Sequence, residues 1–472
     1  MSKKNEKLKE GYSFGKAFKY SFAQISDIIA YQSFTFLIFT FYFAVVGINI
    51  TLISIAFIIW AVWNSINDPL LGALSDRTHT KWGRRYPYII VALIPLALVS
   101  IFLYFPPISF GISDEIINFV YFFVIIMVFE FFYTMFSINQ VSLFPEVFIT
   151  KEERAKANNI RQTIAIFALI IVFVLPTLFI PDLSNPIFLP EYQTFGFLVG
   201  ALIILFGLLF LKFGPREKSE FRENYQTAPK LFESIKTCLK SKSFRWYIPA
   251  EVANWFVYGM LPVIIPLYGK FVLGIGEGES IFLALLLGFA FISAAIFVNI
   301  LWKPVIQKLG PRKTWMISQG VWIISMIPLL FLGFDMLIIA IIIFFFMGIG
   351  LAGSLLVVDI IIADIVDEDE VVTGTRREAS YFGVNALLLR LSTVLVFLAI
   401  GPVFIIGDWE VFDPLNITPE IIFGLKTLIG IFPGIALIIG ILAMYKYPLD
   451  GEKLIQIKAQ VQEIHEQKKA RV

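Results

Sequence analysis

Cysteine and histidine are nearly missing from this 472-residue chain: Cys238 is the single thiol, and His79 and His465 are the two imidazoles. One cysteine closes no internal disulfide. A structural zinc site needs about four N or S ligands, and the chain has nothing to build one from. Charge is scarce too. Asp, Glu, Lys and Arg make up 16% of the residues, against roughly a quarter in a soluble domain. Neither a G-x-x-x-x-G-K-[ST] nucleotide loop nor an H-E-x-x-H pair is present. ATP drive by this chain and intramembrane metalloprotease chemistry are therefore not expected, and neither a cofactor nor a metal is implied. The opening MSKKNEKLKEGYSFGK is polar and basic, without a short apolar core and cleavage site, so no removable signal peptide is expected.

Apolar surface fills the chain instead. Hydrophobic residues make up 58% of it, 50 of them phenylalanine, and the mean hydropathy is +0.80. About twenty apolar residues cross the hydrocarbon of a bilayer as a helix. Runs of that kind start near Tyr20, Ile50, Pro87, Glu115, Ile160, Gln193, Phe244, Ser280, Trp315, Met336, Ala379 and Pro419, with the ninth and tenth almost fused around Gly333-Phe334-Asp335. The expected fold is an all-α membrane protein of twelve transmembrane helices.

Basic residues sort the loops. Arg77, Lys81, Arg84 and Arg85 follow the second run; Lys151, Arg154 and Lys156 follow the fourth; Lys303, Lys308, Arg312 and Lys313 follow the eighth; Arg376 and Arg377 follow the tenth. The odd loops carry Asp114, Glu115, Asp182, Asp408, Glu410 and Asp413, with Lys270 the exception at a helix end. By the positive-inside rule both termini and the even loops are expected in the cytoplasm of a multi-pass cell-membrane protein. The net charge of +2 gives no reason to expect a nucleic-acid partner. A long polar break divides the chain, giving an N-terminal segment 1–19, a six-helix bundle 20–213, a central loop 214–243, a second bundle 244–446 and a tail 447–472. The halves rhyme: Gly83-Arg84-Arg85 after the second run answers Gly310-Pro-Arg312-Lys313 after the eighth. Two repeated six-helix halves are a transporter architecture, with its site near the midplane. The basic tail reads as a solvated amphipathic helix against anionic lipid.

Two blocks resemble a known family. Asn64-Ser-Ile-Asn67-Asp68-Pro69-Leu-Leu-Gly72 precedes Asp76-Arg77-Thr78 and Lys81-Trp82-Gly83-Arg84-Arg85-Tyr86-Pro87. Asp359 and Ala363-Asp364-Ile-Val-Asp367 precede Thr373-Gly374 and Arg376-Arg377-Glu378. Both look like the glycoside–pentoside–hexuronide:cation symporters of the major facilitator superfamily, the group that includes the melibiose permeases. The resemblance implies two pseudo-symmetric six-helix bundles and cation-coupled movement of a sugar-like solute by a monomer in membrane lipid.

Ionisable residues inside spans need a partner, a cavity or a proton. Polar stripes at helical spacing are Gln24, Asp27 and Tyr31; Asn64, Asn67 and Asp68; Glu130, Thr134 and Ser137; and Glu251, Asn254 and Trp255. By resemblance the substrate residues are Asp27, Tyr31, Thr134, Ser137, Asn385 and Arg390, and the cation-coupling residues are Asp27, Asn64, Asp68 and Thr134. The chain departs from the family where Asn64 replaces a second-helix aspartate, Ser137 the sugar-fixing aspartate, and Val141 a tryptophan. A site poorer in carboxylates suits a proton better than sodium, and Arg390 leaves room for an anionic hexuronide. Asp76 would end its helix where the macrodipole repels it, needing Arg77, Arg84 or Arg85 nearby. These residues, with Asp364, Arg376 and Arg377, form a candidate conformational latch. The alternatives are a lysophospholipid-type carrier and a non-transporting membrane sensor.

Overall fold

The structure, a computed structural model, describes residues 13–78, 80–148, 151–216 and 231–470. Among these, every regular element is a helix. His79 and the side chains of Asp76 and His465 lie outside the described residues.

The first helices are α1 (Phe14–Thr40, continued by a π turn at Phe41–Val45), α2 (Ile50–Asp76), α3 (Tyr86–Phe102), α4 (Glu115–Val147), α5 (Lys151–Phe179) and α6 (Leu189–Phe213). After the short α7 (Leu231–Cys238) come α8 (Lys242–Phe271), α9 (Ile281–Phe297, with a π turn at Val298–Trp302), α10 (Lys303–Met326), α11 (Leu337–Thr373) and α12 (Glu378–Ile406). The last crossing is α13 (Pro419–Lys426), joined by a π turn to α14 (Phe432–Tyr445), and the tail is α15 (Gly451–Ala470).

Local chemistry sets the helix starts. Asn49, Asp114, Ser241 and Thr418 each accept a hydrogen bond from a backbone N–H of the first turn that follows, satisfying donors that no helix can pair internally. Ten helical segments are long and apolar enough to span a membrane, and Tyr86–Phe102 is a shorter apolar one. The segment Ile281–Phe331 breaks at Gly310, whose φ of 78° leaves the helical region just before Pro311. It is therefore two crossings, and twelve result. The near-fusion of the ninth and tenth is resolved by a 3-10 turn, Ile327–Phe331, and by Asp335 at φ 65°.

Contacts divide the chain into two compact units, 1–227 with 277–284, and 228–276 with 285–472. Within the first, α1 packs on α5 and α6, α3 on α4 and α6, and α2 on α4. Within the second, α8 packs on α12 and α14, and α10 on α11 and α14. Counted as spans, the pairings one-five, one-six, three-four and three-six recur as seven-eleven, seven-twelve, nine-ten and nine-twelve, so the repeat seen faintly in the loops is present in the packing.

The helices are inside out relative to a soluble protein. On α2, Ile55, Ile59, Val62 and Ile66 are exposed, whereas Asn64 and Asn67 are fully buried. That distribution is stable only if hydrocarbon, not water, bathes the outer face. Close packing inside uses small residues. On α11, a Cβ on Gly350 would collide with Trp322, and one on Gly353 with Ser318 and Trp302. Trp302 is held there by donating to the Ile349 carbonyl at 2.7 Å.

The tail departs from the solvated helix expected. Ile457 and Val461, one turn apart on α15, are buried in a cluster with Trp315, Val366 and Tyr447. Lys453 pairs with Glu368 and Lys458 with Asp364, at 2.8 and 3.1 Å. The apolar stripe of the tail has a protein surface to cover, the end of α11, and takes it.

Candidate functional site

Two polar clusters form within the first unit, both on α4, and its helical pitch separates them. Glu130, Thr134 and Ser137 read in sequence as one stripe. In the structure Thr134 turns to α2, while Ser137 and Tyr133 turn to α1.

The α1 cluster centres on Asp27, which is 8% exposed. The Ser137 and Tyr133 hydroxyls lie beside its carboxylate, Ser137 donating to Tyr133 at 3.4 Å, and the Arg161 guanidinium from α5 lies within electrostatic reach. Tyr31 stacks on Tyr133 with ring centroids 4.8 Å apart. That wall continues through Phe129, which stacks on Phe34 at 4.5 Å. One turn toward the basic loops, Tyr20 donates to the Gln140 carbonyl at 2.5 Å and Gln140 donates to Gln24 at 3.0 Å. Arg161 also reaches Tyr20 and sits over the Phe144 ring at 4.8 Å.

The α2 cluster is built around Thr134. Its Oγ1 lies 3.2 Å from Asp68 Oδ1 and 3.1 Å from Glu130 Oε1. Asn67 donates to the Glu130 backbone carbonyl at 3.2 Å, tying α2 to α4 at this level. Asn64 is fully buried one turn before Asp68, and among the described residues neither of its carboxamide atoms is hydrogen-bonded.

The other expected site residues lie in the second unit. Asn385 on α12 packs against the Tyr247 side chain of α8, and Arg390 is half-buried farther along α12. Nearby on α8, Glu251 is buried and accepts from the Trp255 indole N–H at 2.9 Å.

The loop charges form ion pairs within each unit. Arg84 binds Glu146 at 2.8 Å, with side chains 10% and 12% exposed. Arg85 donates to Ser75 at 2.7 Å and lies 3.7 Å from the same glutamate. Asp76, the expected partner of these arginines, has its side chain outside the described residues, and Arg77 is exposed. In the second unit Arg376 binds Asp367, Glu370 and Glu378 at 2.8, 3.0 and 3.2 Å. Arg377 binds Asp369, to which Tyr381 also donates. Asp364, grouped with those arginines by sequence, pairs instead with Lys458 of the tail.

Comparison with known proteins now settles the class. The profile of a family described as MFS/sugar transport protein matches residues 20–451. The chain belongs to this family. An uncharacterized symporter of Synechocystis sp. is 22% identical, covering 96% of this chain and 97% of its own. The glucuronide carrier protein homolog of Escherichia coli is 20% identical, with 94% of each chain covered. Among solved structures, the nucleoside transporter NupG superposes with a TM-score of 0.65 at 14% identity, covering 91% of this chain and all of that one, a likeness of fold. This family member is thus a membrane transporter of the sugar-symporter kind with the major facilitator fold, and not an enzyme.

Sequence reasoning missed three residues of these clusters. Arg161 stands at the edge of the fifth run, just past the loop charges Arg154 and Lys156, and was not singled out. Tyr133 was one aromatic among many on α4. Glu146 lay among the charges that follow the fourth run, with no motif around it. Only Arg161 offered a signal, since a span beginning at Ile160 places it inside the helix.

Proposed function

We propose that the chain is a secondary active transporter that moves a sugar or sugar derivative, such as a glycoside, pentoside or hexuronide, together with a cation by alternating access. The observation that carries the reading is the Asp27 cluster. A buried carboxylate with two hydroxyls nearby and a stacked tyrosine pair beside it offers acceptors for ring hydroxyls and a flat apolar wall for the ring itself. Asp27, Tyr31 and Ser137, with Tyr133 and Arg161, are the substrate groups of the first unit. Asn385 and Arg390 are those of the second. Arg161 and Arg390 favour a solute that carries a carboxylate, since guanidinium pairs with carboxylate through two parallel bonds.

Coupling falls to Asp68 and Thr134, with Asn64, and the favoured ion is a proton. The ion pairs of Arg84, Arg85, Arg376 and Arg377 hold the loop ends in shape while access changes.

The test uses protein in liposomes with weak buffer, following external pH while glycosides, pentoses and hexuronates are added in turn. Alkalinisation with one compound, lost in Asp27→Asn, supports the reading. Uptake of labelled sugar that tracks a sodium gradient at fixed pH replaces the proton with sodium. Silence across the panel by both readouts refutes the sugar assignment.

A further inference from the structure

α1 and α8 are the two most enclosed of the ten long apolar segments. On α8, Tyr247, Ala250, Glu251, Asn254 and Val257 are buried, and a narrow strip through Ile248, Trp255 and Gly259 is left partly open. The same register holds on α1. Counting from Tyr20 and Phe244, where the two runs begin, buried Asp27 and Ala30 match Glu251 and Asn254, and the more open Gln24 and Tyr31 match Ile248 and Trp255. Each unit thus holds a buried carboxyl followed, four residues on and at the open strip, by an aromatic ring. The two helices are the ones that the packing repeat makes equivalent.

Residues four apart on a helix are neighbours, and in the second unit the two are bonded. The Trp255 indole N–H donates to Glu251 Oε1 at 2.9 Å. A carboxyl inside a span carries a free-energy cost that some interaction must offset. Glu251 is 1% exposed, and among the described residues its other oxygen, Oε2, meets no donor. Its side-chain hydrogen bond goes to an indole that is 36% exposed. That bond turns the N–H inward and fixes both side-chain torsions of Trp255, so the ring offers its apolar surface outward. Tyr258 meets the indole edge-on with centroids 5.2 Å apart, and Phe291 of α9 meets Tyr258 at 6.2 Å. The ring is tethered on one side and buttressed on another.

We propose that Trp255 is the platform on which the second unit stacks the ring of a sugar, and that Glu251 is the residue positioning it. The C–H face of a pyranose or furanose lies flat on an indole, where it gains apolar contact and meets the negative face of the π-system. A ring already tied in place loses no rotamer freedom on binding. Tyr31, stacked on Tyr133, is the matching aromatic group of the first unit. The proposal rests on the sugar-transporter reading and adds an apolar contact to Asn385 and Arg390, the polar groups of the second unit.

The experiment uses the full chain in liposomes with radiolabelled xylose, methyl glucoside and glucuronate. It reads KM and kcat of uptake and, in parallel, the change in tryptophan fluorescence as each sugar is added. For a sugar that the wild type carries, Trp255→Ala should raise KM about 10-fold. Trp255→Phe keeps a ring without an N–H to tether, and should fall between the two and lose the fluorescence change. Glu251→Gln still offers the indole an acceptor and should stay within about 2-fold of wild type. Glu251→Leu fills similar space without an acceptor and should raise KM about 5-fold with kcat nearly unchanged. Wild-type KM in Trp255→Ala, or a fluorescence change undiminished in Trp255→Phe, overturns the platform. Equal KM in Glu251→Gln and Glu251→Leu overturns the positioning role. A fluorescence response that Trp255→Phe removes, in a protein that carries none of the three sugars, would uphold the platform and sink the transport reading alone. Neither uptake nor response in the wild type would sink both.

Discussion

Replacing Glu146 by glutamine should be the most damaging single change at the basic-loop end of the first unit. Arg84 meets Glu146 at 2.8 Å with both side chains about nine-tenths out of solvent, and Arg85 stands 3.7 Å from the same carboxylate. At that separation and an effective dielectric near 20, the attraction is roughly 6 kcal/mol. Desolvation of the two ions consumes most of it. Removing the carboxylate alone leaves that desolvation in place without the Glu146 charge to offset it. The expected cost is therefore about 3–5 kcal/mol. With an unfolding entropy near 2 cal/mol/K per residue, a unit of this size loses roughly 6–10 °C in Tm.

Differential scanning fluorimetry of the purified protein in one detergent reads this shift directly. The double variant Arg84→Gln/Glu146→Gln should be less damaged than the two singles added together, by at least about 1 kcal/mol. Glu146→Gln within 1 °C of wild type, or strict additivity in the double variant, would refute the reasoning and reduce the pair to a surface contact worth about 0–1 kcal/mol.

Three further outcomes are expected. Arg161→Gln should cut sugar uptake at least about 10-fold while leaving Tm within a few degrees, because the guanidinium serves Asp27 and Tyr20 and lost charge-assisted bonds cost ~1.5–3 kcal/mol; unchanged uptake kinetics would exclude it from the site. Ile457→Asp with Val461→Asp should free the tail from α11 and expose it to limited proteolysis, whereas a wild-type digestion pattern would mean that the two salt bridges hold it alone. Burial, with Asp369 nearby, pushes the Cys238 thiol up to about 11, leaving roughly 100-fold less thiolate near pH 7.5 than an ordinary cysteine. Maleimide labelling of the folded chain should accordingly be slow, rise as pH climbs toward that value, and become rapid on denaturation; fast labelling at pH 7.5 would contradict it.

Composition and run length were enough to determine that this is a helical membrane protein of twelve crossings, because the bilayer imposes one simple rule on every span and the apolar runs obey it independently. The two motif blocks were enough to point to the symporter family, since they are local strings that need no partner to be read. Asp27, Asp68 and Thr134 could be found for the same reason: polar residues at helical spacing stand out against phenylalanine, leucine and isoleucine. Pairing was another matter. Whether Thr134 meets Asp68 of α2 or Asp27 of α1 depends on rotation of α4 against those helices, a few tens of degrees that no single helix records. Arg84 found Glu146, 62 positions away, with Arg85 close by, and Asp364 found Lys458. A charge in sequence has many candidates within reach, and only the packing of helices selects one. The tail shows the same division: its amphipathic stripe was legible, but the surface it covers is made by α11 and could be known only once that helix was in place.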